Sequence, residues 1–114
     1  MSDCVFCKIV SGQIPSQKVF EDEDIIAVRD INPQAPVHVL ILPKKHLASV
    51  LEVHESGGEF TRRLVQVVRT IARQEGIAER GFRLLTNTGP DGGQAVAHLH
   101  FHLLGGRKMG WPPG

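Results

Sequence analysis

The segment His98-Leu99-His100-Phe101-His102 sets an imidazole at every second position. In an extended strand, side chains alternate between the two faces. His98, His100 and His102 then point one way, and Leu99, Phe101 and Leu103 point the other way, into a core. Neighbouring imidazoles lie about 6.6 Å apart, from a rise of roughly 3.3 Å per residue. Three chemistries compete for such a row. A lone histidine is most often structural, but three in strict alternation, out of six in the chain, argue against that. A shared metal suits two of them, whereas three span about 13 Å, too far for one ion. Acid–base and nucleophilic chemistry fits best. Imidazole titrates near pH 6.5, so a neutral nucleophile and a protonated donor coexist about neutrality.

Two further segments carry chemistry. Asn87-Thr88-Gly89-Pro90-Asp91-Gly92-Gly93-Gln94-Ala95 leads directly into the histidine strand. Its glycines let backbone amides approach an anion such as a phosphate. Most glycine-rich loops are only turns, and the value of this one is its position. Cys4-Val5-Phe6-Cys7 is a CxxC. It reads as a thiol redox pair, as two small buried apolar side chains, or as half of a Cys2His2 zinc set. The redox reading needs a thioredoxin-like βαβ context, which the chain does not offer.

These groups need a scaffold, and the apolar pattern predicts one. A short helix is expected from Cys4 to Val10, stopping before Gly12 and Pro15. Strands are expected at Lys18–Glu21 and Ile25–Arg29, joined through the acidic run 21–24. Pro33 and Pro36 force a loop, and Val37 to Leu42 reads as a buried strand ended by Pro43. Phe60, Leu64, Val67, Val68, Ile71 and Ala72 form one apolar stripe on a helix from about Gly58 to Glu75. Ser56 and Glu59 resemble a capping box, and Gly76 suits the helix stop. Arg62, Arg63, Arg69 and Arg73 lie off the stripe and read as a solvated face. Phe82–Thr86 and Ala97–Leu104 complete the strands, with Gly105 and Gly106 breaking the last one. Short connections and one central helix predict an α+β fold: an antiparallel sheet with a helix on one face.

Composition narrows the class. The 114 residues suit one domain, 1–114. A net charge of +1 gives no footprint for nucleic acid, and two nearby cysteines do not make a disulfide scaffold. No signal peptide or membrane span is read, so a cytoplasmic enzyme or binding module is expected.

The motif His98-Leu99-His100-Phe101-His102-Leu103-Leu104 resembles that of the histidine triad (HIT) family. The segments 30–38, 41–46, 91–94 and the terminal Gly105-Gly106-Arg107-Lys108-Met109-Gly110-Trp111-Pro112-Pro113-Gly114 resemble the Hint branch, a group of purine nucleoside phosphoramidases. That resemblance implies a five-stranded antiparallel sheet, joined in a homodimer into ten strands. It implies cleavage of nucleoside phosphoramidates or acyl-nucleotides, such as aminoacyl-adenylates, with His100 as nucleophile and a nucleotidyl-histidine intermediate. His102 would contact the phosphate and the leaving group. The His98 carbonyl would hold the other ring nitrogen of His100, and His38 would be a fourth histidine bonded near His98. Asp30 would hold the ribose. Asn87, Gly93, Gln94 and the Ala95 backbone would surround the phosphate. Phe6, Ile14, Val28 and Ile31 would form a slot for the base, and Trp111 would reach toward the partner's site. Cys4, Cys7, His46 and His98 would hold a structural zinc, with no cofactor required for catalysis.

Two positions depart from the branch. Ala95 stands where many members have serine, and Gly110 where histidine is frequent. Two other functions compete: a nucleotide-binding dimeric interaction module with residual catalysis, and a dinucleoside polyphosphate hydrolase. The Trp-Pro-Pro-Gly ending argues against the latter.

Overall fold

A computed structural model describes residues 3–53 and 58–114. Helix α1 (Val5–Ser11) is followed by strands β1 (Lys18–Glu21), β2 (Ile25–Arg29) and β3 (Val37–Pro43). A 3-10 turn at Val50–Glu52 precedes the long helix α2 (Gly58–Gln74). Strand β4 (Phe82–Leu85), a single helical turn α3 (Gly89–Gly92) and strand β5 (Phe101–Gly105) complete the chain. The strands form one antiparallel sheet in the order β1-β2-β3-β5-β4. This is the α+β architecture that the apolar pattern predicts. Among the described residues no helix is long and apolar enough to cross a membrane.

The sheet buries both faces, and alternation decides what each one receives. Ile25, Ala27, Val39, Ile41, Leu99 and Leu103 pack beneath the α2 stripe of Phe60, Leu64, Val67, Val68, Ile71 and Ala72. Ile26, Val28, Leu40 and Leu42 pack beneath α1 through Phe6. Helix α2 stops because Gly76 adopts φ +76°, which lets the Ile77 amide turn back to the Ala72 carbonyl at 2.9 Å. Arg29 then clamps Glu75 through two 2.9 Å bonds, fastening the end of β2 to the end of the helix. Arg63 pairs with Asp22 in the β1–β2 turn and holds that carboxyl down at about 2. Ser56 of the expected capping box lies outside the described residues.

The last strand differs from expectation. Its ladder starts at Phe101, opposite Ile41, rather than at Ala97. Upstream, the His98 amide bonds the Val96 carbonyl at 2.8 Å, and the Leu99 amide bonds Leu47 at 2.6 Å. Those groups are therefore taken before a neighbouring strand can use them. Gly105 also stays inside the strand, and the chain turns at Gly106. The expected loop 87–93 contains the helical turn α3.

Candidate active site and thiol–imidazole cluster

The alternation carries past the start of the ladder. Leu99 and Leu103 enter the core under α2, while His98 and His100 face Phe6 of α1. Phe6 meets both rings edge-on, with centroids 5.8 Å from His98 and 4.8 Å from His100. His100 and His102 are 5.1 Å apart, centroid to centroid.

Hydrogen-bond partners assign the tautomers. The His98 carbonyl accepts from His100 Nδ1 at 2.7 Å. That proton on Nδ1 leaves Nε2 as the ring's lone-pair atom. Thr86 Oγ1 donates to the His100 carbonyl at 2.7 Å, so backbone and ring are both braced. His38 Nδ1 accepts from the Gln34 amide at 3.0 Å, which puts the proton on His38 Nε2. Nε2 lies 2.9 Å from His102 Nδ1 and 3.4 Å from Asp30 Oδ2. His102 Nδ1 therefore accepts, and its Nε2 carries an N–H. His38 thus bonds His102, not the neighbourhood of His98, because the β3–β5 register sets Leu40 opposite His102. Burial lowers the pKa of His102 to about 4, helped by His100 and His38 and opposed by Asp30. Burial lowers His38 as well, against the pull of Asp30.

The other expected contacts are placed less uniformly. Asp30 also accepts the Asn32 amide at 2.8 Å, capping its own turn. Gln94 donates to the carbonyls of Ala48 at 2.7 Å and Val96 at 3.0 Å and accepts from the Gly89 amide at 3.1 Å. Its side chain is thus committed to shaping the loop. Gly93 and Ala95 are exposed there, and Asn87 is half-buried beside Gly92. Phe6 and Val28 belong to the buried α1 face, Ile14 is half-buried, and Ile31 is 99% exposed. Trp111 is 82% exposed, with the Arg83 guanidinium 6.0 Å from its ring centroid. Thr86, the Gln34 amide and the Pro43 carbonyl brace the histidines without a local sequence signal.

Cys4, Cys7, His46 and His98 converge, with all four ligand atoms within 4.8 Å of one another. His98 Nδ1 lies 3.4 Å from Cys4 Sγ and 3.6 Å from Cys7 Sγ, and His46 Nδ1 lies 3.3 Å from Cys7 Sγ. Zinc bonds of about 2.3 Å to sulfur and 2.1 Å to nitrogen place tetrahedral S and N ligands about 3.6 Å apart, so the set fits. His98 Nε2 donates to the Pro43 carbonyl at 2.9 Å, which leaves Nδ1 bare toward the thiols, as a ligand must be. Burial lowers the His98 pKa and favours the same neutral form. A metal here would have four protein ligands and no open position, so its contribution would be structural.

Comparison with known proteins places these features in a family. The family model of the HIT domain matches residues 11–109. Adenylylsulfatase HINT1 of Arabidopsis thaliana is 48% identical over 115 residues, covering 99% of this chain and 78% of its own. A 14 kDa zinc-binding protein of Brassica juncea is 46% identical over 114 residues, covering 98% of this chain and 100% of its own. The crystal structure of a HIT family hydrolase from Legionella pneumophila Philadelphia 1 has a TM-score of 0.94 at 50% identity, covering 98% of this chain and 100% of that one.

Proposed function

The chain belongs to the HIT domain family, and from that premise we propose that it hydrolyses purine nucleotides carrying a leaving group on the α-phosphate. The substrates are nucleoside phosphoramidates and acyl-nucleotides of the aminoacyl-adenylate type. The observation that carries this reading is the orientation of His100. Its Nδ1–H is tied to the His98 carbonyl, so Nε2 is a pre-set nucleophile. Nε2 attacks the α-phosphorus, the P–N or P–O bond to the leaving group breaks, and a nucleotidyl-histidine forms. Water then cleaves the P–N bond to His100 and releases the nucleoside monophosphate.

His102 serves the leaving group. An anionic phosphate beside it raises its pKa, so Nδ1 takes up a proton together with the substrate, and the His38 Nε2–H that faced it turns to Asp30 Oδ2, 3.4 Å away. An amine takes the Nε2 proton as it departs, whereas a carboxylate or sulfate departs without one. The name of the Arabidopsis relative, an adenylylsulfatase, supports the inclusion of acid anhydrides. Asp30 holds the ribose, and the backbone amide of Ala95 receives the phosphate, because the Gly93 and Gln94 amides are bonded to the Pro90 and Gly89 carbonyls at 3.0 and 3.1 Å. Phe6, Ile14, Val28 and Ile31 provide the apolar slot for the base. Cys4, Cys7, His46 and His98 hold a zinc that stiffens this end of the sheet, a reading supported by the name of the Brassica relative.

The reading extends to assembly. The whole chain is one HIT domain, and two copies pair through the edge strand β4 into a ten-stranded sheet. Phe82, exposed on β4, and Val65, exposed on α2, support that surface. Trp111 then projects toward the partner's site, in a cytoplasmic setting that keeps both thiols reduced.

The test is adenosine 5′-phosphoramidate turnover by the wild type and His100→Ala. The expected result is AMP release in the wild type, loss of at least a thousandfold in the variant, and AMP affinity within about threefold. Equal turnover in the variant overturns the proposal.

A further inference from the structure

The tautomers of His38 and His102 hang on one backbone amide. The Gln34 N–H bonds His38 Nδ1 at 3.0 Å, which sends the His38 proton to Nε2, 2.9 Å from His102 Nδ1. Asp30 Oδ2 favours the same form, but from 3.4 Å. Once that amide withdraws, the His38 proton is free to sit on Nδ1. Nε2 then becomes an acceptor, and His102 has to donate from Nδ1 and leave its own Nε2 bare. One N–H thus sets the orientation of protons on two rings.

Burial does not hold this amide in place. Ile31, Asn32, Pro33 and Gln34 are all exposed, and packing resumes at Ala35. Within the loop, Asp30 accepts the Asn32 amide, and Gln34 Nε2 donates to the Asn32 carbonyl at 3.0 Å. From outside, the segment just after β5 grips the loop twice. Arg107 Nε donates to the Gln34 carbonyl at 2.9 Å. Gly106 lies so close to Pro36 that a Cβ there would meet Pro36 Cβ at 2.9 Å. The β3–β5 register sets Val37 opposite Gly105 and so delivers residues 106 and 107 to residues 34 to 36. The guanidinium is steadied in turn, because its Nη1 donates to the Lys108 carbonyl at 3.2 Å. Gln34 is therefore fixed at its N–H by His38, at its carbonyl by Arg107 and at its side chain by Asn32.

We propose that Arg107 is a positioning residue for the histidine pair: through the Gln34 carbonyl it holds the Gln34 amide on His38 Nδ1, and so keeps the proton of both His38 and His102 on Nε2. The acceptor is a neutral carbonyl, so an N–H at the place of Nε suffices and the charge is not needed. The effect on rate rests on the hydrolase reading, in which the His102 Nε2–H meets the phosphate and the departing amine. A bare Nε2 would set a lone pair against an anion there. The effect on the tautomers does not rest on that reading.

The experiment compares Arg107→Met and Arg107→Gln in the full chain. Both variants lose the charge. Glutamine carries its amide nitrogen at the place of the arginine Nε and keeps a donor, whereas methionine sets a methyl group there. Proton–nitrogen correlation spectra of the imidazoles read each tautomer at about pH 7.5, where neutral rings dominate. The expected result is Nε2–H on His38 and His102 in the wild type and in Arg107→Gln, and a mixture with Nδ1–H on both rings in Arg107→Met. Phosphoramidate kcat/KM falls about fivefold in Arg107→Met and returns to within about twofold of the wild type in Arg107→Gln. Unchanged tautomers in Arg107→Met overturn the proposal, even if the rate falls. Equal tautomer shifts in the two variants also overturn it, in favour of a role for the charge. A shift in Arg107→Met alone, with no turnover in the wild type, upholds the positioning role and overturns the hydrolase reading instead.

Discussion

Acid should unfold this protein through its histidines well before its carboxylates titrate. His102 has a folded pKa of about 4, against an unfolded value of 6.5. The folded state therefore binds fewer protons than the unfolded state between those limits. Stability is full above about pH 6.5 and falls as pH drops toward 4. At pH 5 the unfolded ring is almost wholly protonated and the folded one about a tenth, a difference of about 2 kcal/mol at about 1.4 kcal/mol per pKa unit. Solvent reaches part of the ring and screens the effect, so the observable loss is about 1–2 kcal/mol. His38 and His98 are lowered by burial too and add losses of the same sign. The assay is urea denaturation at fixed protein concentration from pH 7.5 to 4.5, comparing wild type with His102→Gln. Glutamine can still accept the His38 Nε2–H, so the subtraction isolates the titration of residue 102 and cancels what His98 and the thiols contribute. The wild type should lose about 1–2 kcal/mol more than the variant between pH 7 and 5. Equal losses in the two proteins would refute the claim that burial holds His102 neutral.

Three further outcomes follow from the same geometry. His102→Gln should slow phosphoramidate turnover at least tenfold more than turnover of an acyl-adenylate or adenylyl sulfate, because only the amine needs a proton; equal slowing would separate His102 from the leaving group. Zinc content should approach one per chain and fall in Cys7→Ser, with a melting temperature lower by about 5 °C or more, as for a metal that binds only the folded state; an unchanged melting curve after chelation counts against the cluster as a metal site. Gly105→Ala should cost about 1–3 kcal/mol, because its Cβ would meet Ile77 Cδ1 at 2.7 Å and Ile77 Cβ at 3.0 Å; Ile77→Ala in the same chain should recover part of the lost urea midpoint.

The features that sequence revealed share one trait: they are periodic and local. The α2 stripe and the alternation of Leu99 and Leu103 against His98 and His100 follow from helix and strand repeats, whatever surrounds them. What sequence left hidden depends on distant partners. The last ladder begins at Phe101 because the Leu47 carbonyl takes the Leu99 amide, and Leu47 sits in a loop with no pattern pointing to residue 99. His38 reads correctly as a histidine on a strand. Its bond to His102 waits on the register between β3 and β5, which no single strand encodes. Gln94 looks like a phosphate ligand by its place after two glycines, yet its amide is consumed by Ala48, Val96 and Gly89. Ala95 accordingly has only its amide to offer in the proposed chemistry, and the loop that aims this amide is held by Gln94.

His98 explains why the cysteine cluster and the histidine row belong to one device. Extended backbone places the carbonyl of one residue beside the side chain two positions on, so His98 can hold His100 Nδ1 without using its own ring. The ring is then free to face Cys4 and Cys7, with its far nitrogen anchored on Pro43. Helix α1 closes the arrangement. Cys4 Sγ accepts the Cys7 amide as the helix N-cap, and Phe6 between them wedges edge-on against both His98 and His100. Seven residues of helix at the start of the chain therefore fix the nucleophile of the proposed reaction near its end. A change at Cys4 or Cys7 should accordingly reach His100 although neither cysteine touches substrate. The measurable sign is a changed His100 ring resonance in Cys7→Ser at constant pH, and an unchanged resonance would mean that the two clusters are merely neighbours.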